Sequence, residues 1–173
     1  MTQVSTNISV AVTEQAAYIK VTGRAGFSRS ICFKTLVKEL NDRGYSNFVI
    51  DLGECATMDS TFLGSLVGIV SSFPQRHQTS TRVCLQLLNP SQRIQDLLEN
   101  LGVDHLFPIR QDAPSVVQPL ATDPADPGAP SKKEVSKACL EAHQHLMAVN
   151  PENIPRFKDV VQFLAEDLKK QQP

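Results

Sequence analysis

Hydrophobic and polar positions in the first part of the chain alternate between the period of a strand and that of a helix. Residues 8–12 and 17–21 alternate apolar with polar side chains, which predicts two short strands. From about Ser30, apolar residues recur at helical spacing, and Gly44 is expected to end that helix. The continuous apolar run 48–52 then predicts a strand that is buried on both faces.

A second helix and a further strand follow in the same pattern. Asp59 or Ser60 can cap this helix, its apolar positions continue to Phe73, and Pro74 is expected to close it. The apolar run 83–87 predicts the next strand.

The last part of the alternating region contains one more helix and one more strand. Ser91 can cap the helix, Gly102 is expected to end it, and residues 106–109 predict a short edge strand because they include a proline. Strands that alternate with helices require crossover connections. The sequence therefore predicts an α/β domain over residues 1–109, with a mixed, mostly parallel sheet of four to five strands.

Prolines mark the end of this domain, since six of the 11 lie between residues 108 and 130. Residues 110–130 are interpreted as an extended, proline-rich linker. Residues 131–173 are predicted to form an extension of two amphipathic helices, the first of which begins with a capping box of Ser131 and Glu134. The apolar stripes of these helices need cover. Either they cap the exposed side or edge of the sheet, or they form a hairpin for dimerisation or docking.

Composition excludes several classes of protein. The 17 basic and 18 acidic side chains give a net charge of -1, which argues against binding to nucleic acid. The N-terminal residues lack a signal-peptide pattern, and no run of about 20 apolar residues predicts a membrane span. The four cysteines show no pairing typical of zinc sites or disulfide frameworks, so a reducing cytoplasm is expected.

The common catalytic motifs are missing from the sequence. It contains no phosphate-binding glycine loop of either common type and no serine nucleophile elbow. His143 and His145 are two residues apart on a predicted helix and therefore on different faces, so they are expected to be exposed or at a rim rather than metal ligands. Asp51 ends a strand but lacks the acidic pair of a phosphorylated receiver domain. We therefore expect no cofactor, no metal and no enzymatic activity.

One short motif carries functional information. The apolar strand ends in Asp51-Leu52, and Met58-Asp59-Ser60-Thr61 follows after a short loop, with Leu63-Gly64 close behind. Together with the order of elements, this motif resembles the STAS domains of bacterial anti-sigma factor antagonists. The resemblance implies that Ser60 is phosphorylated by a partner that is both anti-sigma factor and serine kinase, with Thr61 as second choice. Phe62 departs from the glycine that many regulated members have there.

Elementary electrostatics supports a role for Ser60 beside that resemblance. At a helix N-terminus, free N–H groups and the helix dipole attract anions. A phosphate on Ser60 would make a neutral docking surface strongly anionic. The predicted partner-binding residues are Asp59, Ser60, Thr61, Phe62, Ser65 and Gly68. The alternatives are that Asp59 and Ser60 only cap the helix, and that the helix is largely buried within its own domain.

Three functions remain open on the sequence alone. The leading hypothesis is an anti-sigma factor antagonist that regulates transcription, binds an anti-sigma factor kinase and is released by Ser60 phosphorylation. The second is a STAS scaffold without a switch, and the third is a sensor of a nucleotide or small molecule. Homodimerisation through the C-terminal helices is a further expectation.

Overall fold

Strands and helices alternate through the STAS-like region, and two long helices follow it. The computed structural model describes residues 7–72, 83–112, 114 and 128–172. Its strands are β1 (Asn7–Val12), β2 (Ala17–Ala25), β3 (Asn47–Asp51), β4 (Cys55–Met58), β5 (Cys84–Leu88) and β6 (Ile109–Arg110). Its helices are α1 (Phe27–Asp42), α2 (Ser60–Ser72), α3 (Gln92–Asn100), α4 (Lys132–Val149) and α5 (Ile154–Lys170). The predicted mixed α/β fold with a two-helix extension is confirmed.

The sheet is parallel except at one edge. Its main path runs β1-β2-β3-β5-β6, and only the β1–β2 pair along this path is antiparallel. Ile19, Ile50 and Leu87 lie side by side on β2, β3 and β5, and all three are fully buried. Apolar side chains on adjacent central strands thus lie next to each other in the core, as the continuous apolar runs predicted.

Two local features differ from the sequence prediction. Strand β4 was not predicted, and it pairs in parallel with the far end of β2 across a register shift between Gly23 and Arg24. Helix α1 begins at Phe27 rather than near Ser30. Its first N–H is bonded to a side chain 32 residues away, and such a distant cap has no local signature.

The extension packs on helices rather than on the sheet. Helix α4 lies against α2 and also contacts α1, and α5 lies against α4. The capping box predicted at Ser131 and Glu134 is present, and hydrogen bonding to Ser131 lowers the pKa of the Glu134 carboxyl. The expectation that the extension caps the exposed side or edge of the sheet is therefore wrong, because the surface that covers α4 is mainly that of α2.

Several predicted features lie outside the described residues. These are Phe73 and Pro74 at the predicted end of the second helix, and most of the predicted linker 110–130. Within the described part of the chain, no helix is both long enough and apolar enough to cross a membrane.

Candidate functional site

Asp59 joins the N-termini of two helices. Its Oδ1 accepts a hydrogen bond of 2.8 Å from the Phe62 N–H in α2, and its Oδ2 accepts one of 2.9 Å from the Phe27 N–H in α1. The Asp59 N–H in turn donates to the Ala25 carbonyl at 3.0 Å. One carboxylate therefore satisfies a free N–H group at each of two helix ends, where a negative charge is also favoured by the dipoles. The sequence predicted the cap on α2 but not the one on α1.

Ser60 is the first residue of α2, and its hydroxyl contacts the C-terminal extension. Its Oγ lies 3.0 Å from Nε2 of His143 in α4. The other ring nitrogen, Nδ1, lies 2.6 Å from the Cys139 carbonyl, which can only accept. This network assigns the proton of a neutral imidazole to Nδ1, so Nε2 accepts the hydrogen bond that the Ser60 hydroxyl donates.

His143 is held in place by a second ring. Its imidazole lies against Phe157 of α5, with ring centroids 4.8 Å apart, and its exposed fraction is only 7%. The expectation that this histidine is exposed or at a rim is wrong. His143 lies four residues after Cys139, which belongs to the predicted apolar stripe of α4, so helical spacing could have placed it on the covered face.

The hydroxyl groups of Thr61 and Ser65 also have partners within the protein, the first on α4 and the second on α2 itself. The Thr61 hydroxyl donates to Sγ of Cys139 at 3.6 Å, and the Ser65 hydroxyl donates to the Thr61 carbonyl at 2.9 Å. Both residues are buried, with exposed fractions of 5% and 7%. Thr61, the second choice as phosphoacceptor, is thus less accessible than the half-buried Ser60.

Two glycines let α4 approach α2 closely. A Cβ atom on Gly64 would lie 2.4 Å from the Ala142 carbonyl oxygen, and one on Gly68 would lie 2.6 Å from Cδ2 of His145. Distances this short are not found between real side chains and their neighbours, so position 64, which faces backbone, needs glycine while α4 is docked, whereas a side chain at position 68 would displace the His145 ring. The small face of α2 does permit close approach, and here the approaching surface belongs to the same chain.

Phe62 faces the opposite side of α2, toward the core. It is fully buried, and its ring centroid lies 5.0 Å from that of Phe33 in α1. The structure therefore gives Phe62 no exposed surface with which to contact a partner. Its bulk fills the space between α1 and α2.

Helix α2 is consequently covered on all sides over most of its length, since residues 61–69 are all buried. The alternative that the helix is largely buried within its own domain therefore holds only in part, because α4, which covers one side of it, lies outside the predicted domain 1–109. A signal was present, because a helix without charged side chains is expected to be buried all round. The roles of Thr61, Ser65 and Gly68 in contacting another protein remain predictions.

A second group of polar side chains lies at the carboxyl ends of β2 and β4. Arg24, Arg29 and Arg93 line an open cleft of about 580 Å³, together with Phe27 and Asp59. Guanidinium groups are well suited to phosphate and carboxylate, and open α/β sheets bind ligands at this edge. The sequence pattern did not reveal this cluster, because its members come from three separate segments of the chain. No group of three metal-ligating side chains exists in the described residues.

The similarity to known protein families covers the α/β part of the chain and not the two-helix extension. The family model described as "Mlab, STAS domain" matches residues 8–110. The chain belongs to the STAS domain family. This confirms the membership predicted from the motif around Ser60. The matched STAS region runs from β1 to β6 and includes neither α4 nor α5. No curated protein matches the chain.

Several solved structures share the STAS fold. The anti-sigma factor antagonist SpoIIAA in its unphosphorylated form is 15% identical, with a TM-score of 0.50 over 62% of this chain and 90% of its own. An anti-sigma factor antagonist from Mycobacterium paratuberculosis is 14% identical, with a TM-score of 0.52 over 62% and 86%. A putative one from Thermotoga maritima is 19% identical, with a TM-score of 0.52 over 61% and 86%. At these identities the likeness shows the fold.

Proposed function

We propose that this protein is a cytoplasmic anti-sigma factor antagonist rather than an enzyme. It binds an anti-sigma factor that is also a serine kinase, and phosphorylation of Ser60 ends this binding. The observation that carries the proposal is the position of Ser60 as the first residue of α2, directly after the Asp59 cap and within the motif that resembles STAS switches. Two of the similar structures are described as anti-sigma factor antagonists, and one of these as an unphosphorylated form.

The local electrostatics explains how such a switch works. The kinase transfers the γ-phosphoryl group of ATP to Oγ of Ser60, and ADP and the hydroxyl proton leave. The product carries about -1.5 to -2 charges at the N-terminus of α2. The N–H groups there tolerate an anion, so the domain stays folded. Since Asp59 already supplies one negative charge beside this position, a partner surface matched to the neutral serine is repelled.

Mapping the modified residue tests the switch directly. The full chain is incubated with its cognate kinase and ATP, and the phosphorylated position is identified by mass spectrometry. We expect modification at Ser60, and we expect that Ser60→Ala abolishes it while Thr61→Ala does not. Modification at another position by an active kinase would contradict the proposal.

Binding measurements separate the switch from a scaffold. We expect Ser60→Ala to retain the partner and Ser60→Asp to lose about a hundredfold in affinity, which corresponds to roughly 3 kcal/mol. Gln144→Glu, which adds the same charge at an exposed position of α4, is the control and should bind as the parent does. Equal affinities for Ser60→Ala and Ser60→Asp would instead indicate a STAS scaffold without a switch.

The arginine-lined cleft supports a second candidate function, the sensing of a nucleotide. Arg24, Arg29 and Arg93 surround a cleft that also contains the exposed ring of Phe27, and together these groups suit a phosphate chain and a base. Thermal shift against a panel of nucleotides tests this candidate. We expect stabilisation that Arg29→Gln weakens, and no shift with any nucleotide would exclude it.

Self-association is proposed through α5. This helix exposes three large apolar side chains, Ile154, Val160 and Phe163. Sedimentation of the full chain over a range of concentrations tests whether a dimer forms. A monomer at all concentrations would refute this part of the proposal.

A further inference from the structure

The surface of α2 that the proposed function needs is occupied by the protein's own α4. Three of the predicted contact residues face α4 directly: Ser60 meets His143, Thr61 meets Cys139, and Gly68 meets His145. The Ser60 hydroxyl already donates its proton to Nε2 of His143. A kinase active site needs the Ser60 hydroxyl free, and this hydroxyl is bonded to His143 while α4 is docked.

The polar contacts between α4 and helices α1 and α2 are of a kind that can be exchanged. Besides the Ser60–His143 bond, α4 is held to α1 and α2 by the long Thr61–Cys139 contact and by an ion pair between Lys34 and Glu141 at 3.0 Å. Both side chains of that pair are more than a third exposed, so it adds little stability. Leu146 is the one fully buried large apolar side chain that α4 adds to the main core among the described residues.

The face of α2 beneath α4 can also exist without it. From Ser60 to Ser72 this helix carries no charge, and its residues that meet α4 include Ser60, Thr61, Gly64 and Gly68. If α4 is removed, the hydroxyl groups of Ser60 and Thr61 can bond to water instead. A helix of a partner can occupy the same narrow channel that Gly64 and Gly68 leave for α4.

We propose that the α4–α5 hairpin is an intramolecular competitor that masks the Ser60 face of α2. In the closed protein, α4 blocks both the kinase and the docking partner, and His143 holds the Ser60 hydroxyl. A partner binds by displacing α4, and this part of the inference rests on the proposed function. The masking itself is a property of the chain alone and is tested without any partner.

The accessibility of position 60 gives the first test. Ser60→Cys is introduced into a full chain in which Cys32, Cys84 and Cys139 are replaced by serine, and its rate of reaction with a thiol reagent is measured. Cys55 stays, because burial raises the pKa of its thiol and so slows its reaction. Ala142→Arg is then added, since Ala142 is buried against Gly64 and cannot accommodate an arginine.

We expect Ala142→Arg to raise the labelling rate of the thiol at position 60 about tenfold or more, because about 1.4 kcal/mol in the opening equilibrium changes the open population tenfold. Gln144→Arg adds the same side chain to an exposed position of the same helix and should leave the rate unchanged. Equal labelling rates in the two variants would overturn the masking. Circular dichroism checks that both variants retain the fold.

A covalent lock gives the second test and does not depend on a disruptive substitution. Oγ1 of Thr61 and Sγ of Cys139 are 3.6 Å apart, so Thr61→Cys in a Cys32→Ser, Cys84→Ser background places two thiols within reach of a disulfide. The oxidised protein keeps α4 docked, and the reduced protein is its own control. We expect oxidation to reduce Ser60 phosphorylation and partner binding about tenfold or more, and reduction to restore both.

The two tests fail in distinguishable ways. If Ala142→Arg exposes the thiol introduced at position 60 but no variant binds the partner or is modified by the kinase, masking stands and the proposed function fails. If the oxidised and reduced proteins bind the partner and accept phosphate equally, the partner does not need the α2 face and the competitor role is overturned.

Discussion

Helices α4 and α5 have similar lengths and similar apolar stripes in the sequence, but the structure treats them differently. Helix α4 buries Ser136, Ala142, His143 and Leu146 against α2, α1 and α5. Helix α5 has no fully buried residue, packs mainly on α4, and leaves Phe163 67% exposed. The two helices of one extension therefore differ in how much of the fold depends on them.

The difference shows that an apolar stripe on a helix predicts that the stripe will be buried, but not which surface will bury it. Helix α4 docks against α2 where Gly64 permits the two backbones to approach and Gly68 leaves room for the His145 ring. Helix α5 meets no such surface in the described part of the chain. The inner helix is thus part of the STAS domain in its packing, and the outer one is held through it.

The largest effect is expected from Leu146→Ala in α4. This side chain is fully buried and belongs to the main core, so its truncation should lower the free energy of unfolding by about 2–5 kcal/mol. Urea denaturation of the full chain measures the change. A loss below about 1 kcal/mol would mean that α4 packs no more firmly than α5.

The next largest effect on stability is expected from a substitution of Asn153, which lies between α4 and α5. The Asn153 side chain is fully buried, and its Nδ2 donates to the carbonyls of Leu101 at 2.9 Å and of Leu146 at 3.0 Å. Asn153→Ala should therefore cost about 1–3 kcal/mol in the free energy of unfolding, because these carbonyls lose a buried donor. Glu152→Ala, at the exposed neighbouring position, is the control in the same denaturation assay, and equal losses would contradict the argument.

A pH effect is expected from His145, which lies against Gly68. Burial lowers the pKa of its imidazole, and the nearby Lys34 lowers it further, while Glu141 opposes this. Since the unfolded state then binds more protons, stability is full above about pH 6.5 and falls as the pH drops below that value. His145→Gln should flatten the stability profile between pH 7 and 5 by at most about 1.4 kcal/mol per pH unit. His105→Gln, at an exposed position, is the control in the same assay.

The smallest effect on stability is expected in α5. Phe163→Ser removes a side chain that is mostly exposed, so the free energy of unfolding should change by no more than about 0.5 kcal/mol. If the protein self-associates through α5, the same variant should shift sedimentation toward the monomer. A large loss of stability in monomeric protein would show that α5 is packed as firmly as α4.

Most of the predictions that the structure confirms rest on residues that are close together in the sequence. Ser91 accepts from the Ile94 N–H as a cap should, the Ser131 capping box is formed, and Gly44 adopts the left-handed conformation expected at a helix end. Each of these depends on residues within three or four positions of each other. The pairing of β4 with β2 and the Asp59 cap on α1 join residues about 32 apart, and no local pattern encodes them.

The sequence by itself determined the STAS family, the order of strands and helices apart from β4, and the position of Ser60 at the start of α2. Periodicity, capping residues and a short motif are local, so they can be recognised before the fold is known. Only the tertiary structure decided that α4 covers Ser60, since that contact joins residues 83 apart in the chain. The physical reason is that small residues such as Gly64 indicate a surface that another helix can approach closely. Which helix packs there depends on the packing of the whole fold.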